Sequence, residues 1–496
     1  METMEPRVMP STIDYSQMLP MSIPAMASRR KFFPSNGSTF SRQGNRQIRI
    51  EIAHPSALLD PTHSFLEAHI TNNGAQTFGP DLGGGNVFFE NIRLEQGGKL
   101  LSYTQQSHRL HASILAPTNT TSEGLATEGI TEEQRGYNTA LAASVAPQAV
   151  ASTGEKYDLG VHNSDAFHAN GTTMKITMPI TCGLFSQNKL LPLPLVNPNA
   201  PLTLILDIGL PNDAGVWNAA PGAADIVIAE CAYVAHMIEV GPDVIQQFRQ
   251  VQADMGGQIA ISGQDYEYFS QVVPAGTGGQ VALNCPARKR SIKSLFWCAQ
   301  SNSLVNTAGP LASQALLFNL SFAGSMSIES FQYQVGPILY PAGTPVRCWK
   351  NTRAAAGARV GHEFNRSEAL MELTKAVGTM SATNPSGILS TINYGCDIGG
   401  LASGDNGTAP GGGGATLAPA SDEKYCVCPF GISTDSFKRD IAESGIDTQT
   451  LAQETNLLLN WAAGDDSGLE DKIVHMWALF DQHYYFNMDG SVSYSN

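Results

Sequence analysis

Charge is scarce in this sequence. Of 496 residues only 15% are Asp, Glu, Lys or Arg, against about 25% in an average soluble domain. Cations are the rarer sign: 29 Lys+Arg stand against 44 Asp+Glu, a formal net charge of −15. Wrapping nucleic acid over the whole surface is therefore not expected, because phosphate contacts need local positive charge. No run of 18 apolar residues occurs, so no membrane-spanning helix is expected. Residues 1–26 lack a basic stretch followed by an apolar one, so no signal peptide is expected. The eight cysteines have no framework spacing, and Cys426-Val427-Cys428 is too tight for a zinc knuckle. Reduced, mostly buried thiols are the expectation.

What replaces the charge is 48 Gly, 28 Pro and many neutral polar residues, beside 42% hydrophobic residues. That mixture supplies cores, short strands and frequent turns, and sides that pack against neighbours. Residues 1–44 carry six Met and five Pro without a period, interrupted by Arg29-Arg30-Lys31, and read as an arm that orders only on a partner. Period-2 alternation then begins at Ile48, Ile50 and Ile52, the mark of a half-buried strand. Further strands are expected at 63–71, 86–95, 99–104, 174–180, 190–196, 202–208 and 226–240, with a hairpin turn at Gly97-Gly98.

Gly241-Pro242 breaks the pattern near the midpoint. A helix is expected over 243–254 with Val244, Phe248 and Val251 on one face. Strands resume at 259–273, 280–285, 291–299, 316–322, 327–340, 424–430, 451–461 and 473–486, with a helix at 367–377, a helical piece at 434–443 and a turn at Asp489-Gly490. Long loop-rich insertions occupy 116–170 and 395–420. Strand runs without alternating helices favour sandwiches over a parallel sheet. The expected architecture is all-β: two tandem eight-stranded jelly rolls with a few short helices. The arm covers 1–44, the first jelly roll 45–241, a linker helix 242–257 and the second jelly roll 258–496.

Catalytic chemistry is hard to find. His108 and His111 have no third ligand nearby and read as solvated or loop histidines. His162 and His168 flank Asp165 in a polar loop. His362-Glu363 opens like a zinc-protease motif, but Arg366 stands where the second His is needed. No Gly-x-Ser-x-Gly elbow exists, and the glycine runs lack the Lys-Ser/Thr of a phosphate loop. No enzyme activity, metal or cofactor is expected. Two basic triplets, Arg29-Arg30-Lys31 and Arg288-Lys289-Arg290, are candidates for touching nucleic acid.

Four stretches carry a resemblance. Ile328-Glu-Ser-Phe-Gln-Tyr-Gln-Val-Gly336 with Tyr340-Pro341 resembles a second-domain strand of double jelly-roll major capsid proteins of eukaryotic double-stranded DNA viruses, the virophage and polinton-like group. Phe32-Phe-Pro-Ser-Asn-Gly-Ser-Thr-Phe40 is similar to that family's approach to its first jelly roll. Leu190-Leu-Pro-Leu-Pro-Leu195 before Leu202-Thr-Leu-Ile-Leu206 is similar to the close of it. Ser444-Gly-Ile-Asp-Thr448, Phe480-Asp481 and Asp489-Gly-Ser-Val492 are similar to the end of the second. The resemblance implies pseudo-hexameric trimers, upright jelly rolls, loop towers, an inner-side arm, an icosahedral shell in the virion, and neighbouring capsomers, penton and minor capsid proteins as partners. The rival reading is a secreted two-domain sandwich that binds or cleaves carbohydrate; a minor capsid or spike protein shares the fold.

Overall fold

A computed structural model describes residues 25–74, 78–80, 84–115, 170–187, 189–209, 215–217, 226–274, 279–301, 328–347, 367–377, 429–436, 444–449, 454–461 and 471–495. The first half supplies β1 (Ala25–Phe32), β2 (Thr39–Ser41), β3 (Gln47–Ile52), β4 (Ala57–Asn72), β5 (Phe78–Pro80), β6 (Phe89–Gln96), β7 (Lys99–Thr104), β8 (Thr173–Met178), β9 (Leu202–Ile208), β10 (Gly215–Trp217) and β11 (Ile226–Val240). One sheet runs β1-β11-β4-β8, with β2 beside β11; the facing sheet runs β3-β9-β6-β7. Ile48, Ile50 and Ile52 are fully buried between them, as their alternation demands. Gly97 and Gly98, at φ +54° and +82°, make the β6–β7 turn that a side chain would strain.

The second half supplies β12 (Gln258–Val273), β13 (Gly279–Asn284), β14 (Ile292–Ser301), β15 (Ile328–Val335), β16 (Ile338–Tyr340), β17 (Val346–Arg347), β18 (Phe430–Ser433), β19 (Thr455–Trp461), β20 (Lys472–Asn487) and β21 (Val492–Ser495). Its sheets run β12-β20-β14-β18 and β13-β19-β15-β16, with β21 beside β20 and β17 beside β15. Set aside the extra ribbons and take β1–β2 as one strand. Each half is then an eight-stranded unit with sheet orders first-eighth-third-sixth and second-seventh-fourth-fifth. That is a jelly roll, made twice. The residue-level repeat is absent because pairing order needs apolar alternation, not particular side chains.

The loops repeat too. Sheet partners are antiparallel throughout, and links such as 42–46 and 53–56 are short, so consecutive strands run in opposite directions. The third-to-fourth, fifth-to-sixth and seventh-to-eighth connections therefore share one end. In the first unit they are 73–88, 105–172 and 209–225; in the second, 302–327, 341–429 and 462–471. At the other end the fourth-to-fifth links are only 97–98 and 336–337. The expected insertions at 116–170 and 395–420 fall inside the two fifth-to-sixth connections; nearly all of their residues lie outside the described set, as do the strand expected at 316–322 and most of the helical piece expected at 434–443.

Three expectations need correction. The arm does not extend to residue 44: β1 pairs with β11 from Ala25↔Val240 to Phe32↔Tyr233, and β2 continues the edge. Strand β1 is exposed along almost its whole length, so it shows no alternation. The segment 190–196 is a short bridge at Leu191 and a 3-10 turn at Leu193–Leu195 rather than a strand, since Pro192 and Pro194 cannot donate to a ladder. The linker helix, α2 (Pro242–Asp254, after the short α1 at Ser107–Leu110), starts on Pro242 with Asp243 in its first turn, both favourable there. Of the trio expected on one face, Val244 and Phe248 are half-buried but Val251 is 45% exposed, and Gln252 is buried in its place, donating from Nε2 to Phe486 O at 2.7 Å. A third helix, α3 (Ser367–Val377), packs Leu373 and Ala376 beside Gly431.

Candidate assembly site

The two jelly rolls are joined by a seam that no motif announced. Asp265, in the middle of β12, is buried, and its carboxylate accepts from Ser102 Oγ at 2.5 Å and Thr104 Oγ1 at 3.0 Å, both on β7. Burial raises its pKa above the usual range, with the hydrogen bonds from Ser102, the Tyr266 amide and Thr104 pulling the other way. Gln482 Nε2 donates to Leu101 O at 3.1 Å, and Tyr484 OH donates to Gln482 Oε1 at 2.9 Å. At one end Gln96 clasps the last turn: its Nε2 donates to Gly490 O at 2.7 Å, and its Oε1 accepts from the Val492 amide at 2.5 Å.

Backbone approach makes this contact tight. A Cβ on Gly183 would stand 1.8 Å from Tyr484 Oη, and one on Gly263 would stand 2.7 Å from Gly183 O. Only glycine fits either position without moving its neighbour. The cores interleave accordingly: Ile261, Tyr484, Phe486 and Val492 pack with the first core, while Leu110 and Ile114 pack with the second.

On either side of Leu110 stand His108 and His111, expected as solvated or loop histidines. For His108, on α1, that expectation fails. His108 is fully buried, and His111 Nε2 lies 3.0 Å from Thr181 Oγ1, with burial lowering its pKa to about 4. Arg109 Nη1 reaches Gln300 Oε1 of β14 at 3.1 Å. Across from it, His475 Nδ1 lies 2.7 Å from Tyr268 Oη; burial, then Arg109, then His108 hold this imidazole well below its ordinary pKa. These residues come from both halves; His108, Arg109, Gln300 and His475 are buried, and His111 and Tyr268 are half-buried. Among the described residues no group of three metal-ligating side chains is brought together, and Cys182, Cys231, Cys285 and Cys298 are buried. His162, Asp165, His168, His362 and Glu363 lie outside the described residues.

The basic triplet is built into the first sheet. Glu67, on β4, receives Lys175 Nζ at 2.8 Å and Lys31 Nζ at 3.0 Å, with Arg29 Nη2 at 3.7 Å. Their hydrogen bonds and charge, Lys175 first, hold the Glu67 carboxyl below its ordinary pKa. Arg30 lies over the Phe32 ring at 5.5 Å. The second triplet is divided: Lys289 Nζ is 3.6 Å from Glu267 and 4.0 Å over the Phe480 ring, while Arg288 and Arg290 are exposed.

No family model matches the chain, and no curated protein matches it. Solved structures do. The PBCV-1 protein VP54, as fitted into a reconstruction of the virophage Sputnik, superposes with a TM-score of 0.55 at 10% identity, over 97% of this chain and 99% of that one. The Sputnik virophage structure gives 0.53 at 10% identity over 100% and 92%, and the PBCV-1 virus capsid gives 0.51 at 10% over 97% and 99%. The chain has the double jelly-roll fold of these capsid proteins along essentially its whole length.

Proposed function

We propose that the protein is a major capsid protein of an icosahedral virus, found in the virion, whose trimers present six jelly rolls as a pseudo-hexagon. The observation that carries this reading is the pairing of two units of one strand order through a buried seam. A single chain thereby offers two similar walls to its neighbours, and three chains close a ring by repeating one heterologous contact. The low charge and the net −15 suit this role: neutral sides pack, while shared negative charge keeps free trimers apart. Assembly is the mechanism, with no substrate turned over and no cofactor.

Partners on this reading are two further copies, then neighbouring capsomers, penton and minor capsid proteins. Arg29, Arg30 and Lys31 would meet a partner, whether protein or genome, from a paired strand rather than from a mobile arm. Both fifth-to-sixth connections leave the same end of the molecule, which suits towers on the outer surface. The carbohydrate reading needs an aromatic platform, yet Trp297 and Trp477 are fully buried and serve as core. Negative-stain images of purified protein test the proposal. Six-lobed particles support it, and monomers at assembly concentrations count against it.

A further inference from the structure

A lysine and two aspartates are enclosed where three neighbouring strands of the second jelly roll meet. Lys293, on β14, has a side chain 1% exposed; Asp435, just beyond β18, is at 0%, and Asp481, on β20, at 5%. Because the sheet order is β20-β14-β18, the amine stands on the middle strand with one carboxylate supplied from each side. Lys293 Nζ is 3.4 Å from Asp435 Oδ2 and 3.3 Å from Asp481 Oδ2. Lys293 Nζ also donates to Ser444 Oγ, which donates in turn to Asp435 Oδ1 at 2.5 Å. Asp481 is fixed through both oxygens, Oδ2 by Ser291 Oγ at 2.7 Å and Oδ1 by Gln264 Nε2 at 3.3 Å.

We propose that this triad is a self-modification site that forms an amide cross-link between Lys293 Nζ and Asp435 Cγ, with Asp481 as the proton carrier. An amine held against a carboxyl group at van der Waals distance has the proximity that aminolysis lacks in free solution. Nζ forms a bond to Cγ, and one Asp435 oxygen departs. Of the three ammonium protons, two leave with that oxygen as water and one stays on the new amide. Asp481 takes up a proton from the attacking nitrogen, hands it to the leaving oxygen and ends unchanged. No oxidant, metal or further reactant enters. The product replaces two enclosed charges with a neutral group, relieving the cost of keeping ions out of water. Its remaining N–H still faces Asp481. Asp435 is the carbon attacked because it sits past the end of its strand, whereas Asp481 is held inside one. The link would tie β18, which follows the longest connection in the chain (341–429), to the middle of its sheet.

Intact mass of the full chain under denaturing conditions tests this without any variant. The expected mass is one water below that of the linear sequence, and digestion should yield one branched peptide joining the Lys293 and Asp435 segments. Asp435→Ala should restore the linear mass, and Asp481→Asn should lower the cross-linked fraction at least tenfold at a fixed time after purification. A wild-type chain of full linear mass overturns the proposal. So does a missing water that maps to Asp489-Gly490, where ring closure to a succinimide removes the same mass. An unchanged linked fraction in Asp481→Asn overturns the assigned proton carrier.

Discussion

The two jelly rolls have one strand order and keep their polar groups in different places. The first sets its ion pairs toward its outer faces: the buried Glu67 beneath the more exposed Lys31 and Lys175 on one sheet, and Arg93 with Asp207 at 2.9 Å on the other. Several of its buried polar residues, Gln96, Ser102, Thr104 and Arg109, turn toward the second unit. The second unit carries Asp265, Lys293, His475 and Asp481 inside. Its strand β20 is buried at every residue from Lys472 to Gln482. Exposed ion pairs contribute little, whereas a buried polar group left without its partner is costly. The first unit should therefore tolerate changes to its outer charge, and the second should depend on the first.

The largest expected effect comes from truncation. Removing residues 2–40 deletes β1 and most of β2, exposing the β11 edge and the Phe32 and Phe40 sites. Insoluble or unfolded protein is expected, whereas removing residues 2–24 should leave a native circular dichroism spectrum and elution volume. Equal behaviour of the two truncations would show that β1 is dispensable.

Next comes the second core. Trp297 stacks on Phe430 with centroids 4.3 Å apart and meets the Phe331 edge at 5.3 Å, so Trp297→Ala should cost about 3–5 kcal/mol in denaturant unfolding. At the seam, Gly183→Ala forces a Cβ against Tyr484 and should cost about 1–3 kcal/mol. Combining it with Tyr484→Phe should recover part of that loss, a coupling that two independent domains would not show.

Acid should loosen the seam through its histidines. His111 binds a proton near pH 4 in the folded protein but near 6.5 in the unfolded chain, so the unfolded state holds more protons between those values. Stability from this group is complete above about pH 6.5 and declines as pH falls to about 4. His475 acts in the same direction. Asp265 opposes them: its raised pKa makes the folded state hold a proton the unfolded chain releases above 3.8, so its contribution falls as pH rises through that window. Thermal melts of His111→Gln from pH 4 to 7 should show a shallower slope than wild type. The smallest effect belongs to Lys31→Ala, whose pair is half-exposed and should be worth less than about 1 kcal/mol.

Much of the sheet framework was legible because alternation marks half-buried strands. Ile48 to Ile52 carried the strand period, 367–377 carried the helical one of α3, and the Gly97-Gly98 and Asp489-Gly490 turns announced two hairpins. Strand β1 was invisible for the converse reason. A strand exposed on both faces has no apolar period, and its pairing is determined by β11. The seam was equally silent. Asp265, His108 and Lys293 look like outward-facing polar residues until a second unit or a neighbouring strand covers them.

The central claim is that two jelly rolls, fused at a buried seam, act as one building block of a trimer. Native mass measurement of the purified full chain at micromolar concentration addresses it most directly. The account predicts one dominant species of three times 52.8 kDa that persists on dilution. A species of 52.8 kDa alone, unchanged as concentration rises, would contradict it.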